Sequence, residues 1–71
     1  MSTLTLLVTY TAAPGQRDAF LDALNESGLP AKVQKEAGCL QYDYFRSVDN
    51  PDKILLVERW TSPAMQKVHL A

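Results

Sequence analysis

The 71-residue sequence holds a single cysteine and a single histidine, and each scarcity removes an option. Cys39 alone cannot form an internal disulfide. His69 alone, with no set of Cys, His or carboxylate residues at ligand spacing, offers no metal site. There is no excess of positive charge, since seven basic residues face eight acidic ones for a net charge of −1. A nucleic-acid binder of this size would carry a basic face, so no nucleic-acid partner is expected. No apolar run approaches the roughly 20 residues needed to cross a bilayer. The opening Met1-Ser2-Thr3 lacks the basic region of a signal peptide. The expectation is one domain over residues 1–71, cytoplasmic, with a reduced thiol, no metal, and neither nucleic acid nor membrane as partner.

These absences bear on stability as well. A chain this short buries roughly 60% of its unfolded surface, which makes a marginal core. Small domains are usually reinforced by disulfides, a metal or an oligomer. With the first two excluded, a homodimer or higher homo-oligomer is expected. The composition, 46% hydrophobic and 21% charged, is that of a folded globular chain.

Periodicity supplies the elements. Leu4, Leu6, Val8 and Tyr10 alternate strictly with Thr5, Leu7 and Thr9, which predicts a strand over 3–11. The threonine face is only mildly polar and could line a cavity. Ala13-Pro14-Gly15 is a turn. A helix follows from about Gln16, with Ala19, Phe20, Ala23, Leu24 and Ser27 as its apolar stripe. Gly28-Leu29-Pro30 interrupts it, giving a kink or a second helix that opens at Pro30 and runs to about Glu36. Gly38 would close that helix as a C-terminal cap.

A second strand is expected over 39–47, with Leu40, Tyr42 and Tyr44 on one face. Turn formers fill 48–52. Lys53 to Trp60 reads as a third strand, apolar on both faces through Ile54-Leu55-Leu56-Val57 and therefore central. Ser62 and Pro63 announce a last helix as N-cap and first helical residue, with Ala64, Met65 and Val68 inward. The order β-α-β-β-α is a split βαβ pattern lacking one strand, which would pair beside the first. Without it, the apolar first strand is an unprotected edge that another chain or further residues must cover.

The stretch Glu36-Ala37-Gly38-Cys39-Leu40-Gln41-Tyr42 resembles the E-x-G-C-x-x-Y segment of the antibiotic-biosynthesis monooxygenase family. Asn50 to Trp60, with its Glu58-Arg59-Trp60 ending, resembles the family's E-x-W mark. Pro14-Gly15 before a helix carrying Phe20, and His69 nine residues past Trp60, fit the same pattern. The resemblance implies an α+β, ferredoxin-like protomer that pairs through its sheet into a dimeric α/β barrel. It implies a cofactor-independent monooxygenase acting on a small aromatic, phenolic or quinol substrate. No flavin or metal is implied for that type; haem-degrading members make haem binding a further option. The sequence ends before the rest of the second helix and the final strand of the pattern.

Each candidate site residue carries two readings. Trp60 could hold a planar ring by stacking, or be a core anchor for the last helix. Glu58, among Ile54, Leu56 and Trp60, could be a base, or a structural carboxylate paired with Arg59 or Arg46. His69 titrates near neutrality when unperturbed and could deprotonate a phenol, or simply be a solvated residue near a helix end. Tyr42, Tyr44 and Thr9 could contact substrate, or pack within the sheet. Cys39 reads as a small buried hydrophobe. The rival to an oxygenase is a non-catalytic ligand-binding or structural dimer of the same fold.

Overall fold

The computed structural model describes residues 2–70. The chain runs β1 (Leu4–Thr11), α1 (Arg17–Glu26), α2 (Leu29–Gln34), β2 (Cys39–Arg46), β3 (Lys53–Trp60) and α3 (Pro63–Leu70). The fold is α+β and ferredoxin-like, with three antiparallel strands in the order β1-β3-β2. β3 is central because only its residues can be covered on both sides. Its flanks Leu55 and Val57 are half-buried, while Ile54, Leu56, Glu58 and Trp60 are buried. The chain leaves β1 and reaches β2 on the far side of β3 through α1 and α2, and each outer strand keeps one free edge.

Register fixes the two faces of the sheet. Leu4 pairs with Trp60, Leu6 with Glu58, Val8 with Leu56 and Tyr10 with Ile54. On the other side Tyr42 pairs with Glu58 and Tyr44 with Leu56. Directly opposed residues share a face, so all of these point toward the helices. The core there is Val33, Tyr42, Leu56 and Trp60, with Leu4, Val8, Cys39, Tyr44 and Met65 packed against it. Thr5, Leu7, Thr9, Leu55, Val57 and Phe45 form the opposite face. Among the described residues no helix covers it, and Leu7 is 68% exposed.

Several local expectations need correction. Leu40 does not share a face with Tyr42 and Tyr44. A β-bulge between Cys39 and Gln41 sets Cys39 opposite Trp60 and Gln41 opposite Arg59, so the extra residue Leu40 turns out to solvent. Gly38 does not cap α2, which ends at Gln34 with Lys35 still right-handed. Its φ of +84° instead turns the chain into β2, and its bare Cα lets α3 close in. A Cβ there would stand 2.7 Å from Met65 Cβ. The helix break resolves into two helices: Gly28, at φ +75°, precedes α2, which opens one residue before Pro30.

The inward stripes of α1 and α3 also differ from the expected ones. No residue of α1 is fully buried, and Leu21 and Leu24 face inward while Ala19, Phe20 and Ala23 are exposed. α1 is held at its start instead. Arg17 Nη1 donates to the carbonyls of Ser47, Asn50 and Lys53 at 3.1, 2.9 and 3.3 Å. Asp18 pairs with Arg46 at 2.9 Å. In α3 the Ser62 hydroxyl accepts from Met65 N–H at 3.3 Å, the expected cap. Met65, Gln66 and His69 turn inward, while Val68 is exposed.

Candidate functional site

The chemistry-bearing side chains gather on the helix-covered face. β3 alternation aims Glu58 and Trp60 the same way, and Trp60 Nε1–H donates to Glu58 Oε1 at 3.1 Å. Trp60 is 0% exposed. Its indole is already stacked by the imidazole of His69, with centroids 4.9 Å apart at 29°. Trp60 therefore offers no open face to a ligand in this structure; it anchors α3. Glu58 is 8% exposed and pairs with neither Arg59 nor Arg46, since the latter is taken by Asp18.

His69 sits on the last turn of α3, where positive charge is favoured. Its ring touches the edge of Tyr42 at a centroid distance of 6.0 Å. Nδ1 lies 3.0 and 3.2 Å from the two carboxylate oxygens of Glu36. Glu36 is the residue that sequence reasoning passed over. The signal was present, since Glu36 opens the E-x-G-C segment, but nothing local links it to a histidine 33 residues on.

Tyr42 and Tyr44 stand edge to face at 5.8 Å, with hydroxyls 3.4 Å apart. They help line a cavity of about 350 Å³ between α1, α2 and β2, whose other walls include Leu21, Leu24, Pro30, Gln34 and Arg46. Gln34 Nε2–H donates to the Tyr42 carbonyl at 2.8 Å and so joins α2 to this wall. Burial pushes the Tyr42 phenol well above its ordinary range, and the Tyr44 hydroxyl and the Glu58 charge add to the rise. Burial also raises Tyr10, with Tyr44 and Glu58 contributing. The Cys39 thiol is raised as well, first by burial and then by the charges of Glu36, Glu58 and Asp43.

Five of the six expected site residues thus share one face: Trp60, Glu58, His69, Tyr42 and Tyr44. Thr9 does not join them. Strand alternation sends it to the opposite face, in a groove with Phe45 and Leu55. A smaller apolar cavity of about 290 Å³ lies at the start of α1, beneath Phe20 and against Tyr10 and Ile54. Among the described residues, no three His, Cys, Asp or Glu side chains converge as a metal site, and no helix is long and apolar enough to cross a membrane.

Known proteins resemble the chain over nearly its full length. The profile of a family described as antibiotic biosynthesis monooxygenase matches residues 3–71. A Chloroflexus aurantiacus structure, described as a candidate antibiotic biosynthesis monooxygenase, is 35% identical, with a TM-score of 0.76 over 97% of this chain and 65% of its own. A Pseudomonas aeruginosa protein is 36% identical, with a TM-score of 0.82 over 97% of this chain and 68% of its own. A Shewanella oneidensis protein is 26% identical, with a TM-score of 0.84 over 97% and 65%. No curated protein matches significantly.

Proposed function

The chain belongs to the antibiotic biosynthesis monooxygenase family, and from that premise we propose that it is a cofactor-independent monooxygenase of small phenols or quinols. The observation that carries this reading is the shared face: a tyrosine-lined cavity of about 350 Å³, with Glu58 opposite Tyr42 in the sheet and His69 at the edge of its ring, both outside the cavity lining. The substrate ring occupies the cavity between α1, α2 and β2. Its oxygen bonds to the Tyr42 and Tyr44 hydroxyls, which are each both donor and acceptor. Glu58 and His69, which lie behind Tyr42, accept the phenolic proton by way of the Tyr42 hydroxyl.

A base is needed because a free phenol ionises near pH 10, about three units or ~4 kcal/mol from neutrality. The phenolate is the electron-rich species that oxygen attacks. One oxygen atom enters the ring and the other leaves as water. The quinol supplies the electrons and ends as a hydroxyquinone, so the balance needs no other reductant.

The test is oxygen uptake on a panel of quinols, for wild type, His69→Ala and Tyr42→Phe. The reading expects uptake above the blank in wild type and a loss of roughly 10²-fold or more in His69→Ala. No uptake by wild type on any quinol rejects it. One observation favours a rival, a non-catalytic ligand-binding protein: Trp60 is fully covered and the His69 side chain is only 17% exposed. That rival expects ligand binding to perturb Tyr42 without turnover.

We further propose that a second copy of the chain covers the open sheet face. Shape supports this. The radius of gyration is 13.2 Å, against about 11 Å for a compact domain of this length. The exposed surface is 4959 Å², against about 4,400 Å² expected from the mass. The excess belongs to a slab only 17 Å thick whose uncovered side carries Leu7, Leu55, Val57 and Phe45.

A further inference from the structure

We propose that Glu36 is a positioning residue for His69, holding the ring proton on Nδ1 so that Nε2 keeps the free lone pair. The proposal deepens the reading of His69 as a proton acceptor and rests on it. Both Glu36 oxygens lie within 3.2 Å of Nδ1. An ionised carboxylate only accepts hydrogen bonds, and a neutral imidazole has one donor and one acceptor nitrogen. The contact therefore selects the tautomer with hydrogen on Nδ1, which leaves Nε2 as the basic atom.

The arrangement is built from both sides. Trp60 stacks the ring at 4.9 Å and Tyr42 meets its edge at 6.0 Å, which fixes the plane. Glu36 sits in a bonded turn: its N–H donates to Val33 O at 3.0 Å, and its carbonyl accepts from Cys39 N–H at 3.1 Å. Thr61 N–H donates to the Gly38 carbonyl at 2.8 Å, tying that turn to the approach to α3. Gly38 has no Cβ, so Met65 seats α3 directly on the turn.

The other polar groups near the ring do not compete for it. From β3, Glu58 accepts from Trp60 and makes no bond to His69. From β2, the Tyr42 hydroxyl is engaged with Tyr44. On α3 itself Lys67 is exposed.

His69 is the sole histidine, so one imidazole reports the answer. Long-range ¹H–¹⁵N correlation on ¹⁵N-labelled protein distinguishes the two neutral tautomers from each other and from the doubly protonated ring. The proposal expects protonated Nδ1 and bare Nε2 in wild type, and a swing toward protonated Nε2 in Glu36→Ala. Protonated Nε2 in wild type overturns it, as does an Ala variant that keeps the wild-type pattern. The wild-type spectrum decides even if Glu36→Ala fails to fold. Because no turnover enters the measurement, its failure is separate from failure of the oxygen-uptake assay.

Discussion

Trp60 combines three contacts of different kinds: full burial, a stack with His69 and a hydrogen bond to Glu58. Trp60→Phe keeps most of the packing but removes the donor, leaving a buried carboxylate oxygen without its partner. Such a loss costs about 1–3 kcal/mol. Urea unfolding should show a lower midpoint by that amount; an unchanged midpoint would mean Glu58 has another donor. Gly38→Ala should cost more, about 2–4 kcal/mol, because a left-handed φ and a Cβ 2.7 Å from Met65 act together. Tyr42 adds a dependence on pH. Its phenol is raised by burial, so as pH climbs past about 10 the unfolded chain loses its proton first and is favoured. Stability is therefore full below pH 10 and falls above it. In Tyr42→Phe that alkaline decline should be shallower, as read from unfolding midpoints against pH.

Among the elements, α3 depends most on its cap. Ser62→Ala removes the acceptor for Met65 N–H and should cost about 1 kcal/mol, seen as a lower thermal midpoint. The strands were legible in the sequence because period-two alternation is a local property of the chain: β1 and β3 fall within a residue of their expected bounds. The bulge was not, since Leu40, Tyr42 and Tyr44 alternate as evenly as any regular strand, and only the pairing with β3 reveals the extra residue. Helix stripes failed for a related reason. Ala19, Phe20 and Ala23 mark an apolar side of α1, but its start is tied by Arg17 to the carbonyls of Ser47, Asn50 and Lys53, 30 or more residues away. The candidate site divides along the same line. Glu58 and Trp60 were legible as a pair two residues apart, whereas the Glu36–His69 contact exists only once α3 docks.

For the molecule as a whole, the proposed second copy on the open face predicts a dimer at micromolar concentration. Leu7→Lys places a charge at the centre of that face and should give monomers, or an unfolded chain, by sedimentation; a monomeric, folded wild type would exclude the interface. The Arg17 clamp has a consequence for ligand entry. The side-chain bonds of α1 to the strands and their connection, the three carbonyls gripped by Arg17 and the exposed Asp18–Arg46 pair, lie in its first two residues. The remainder of the helix forms one wall of the tyrosine-lined cavity without a buried side chain of its own. Substitutions along that wall, at Leu21 or Leu24, would therefore reshape the aperture above Tyr42 and Tyr44 without touching a single strand.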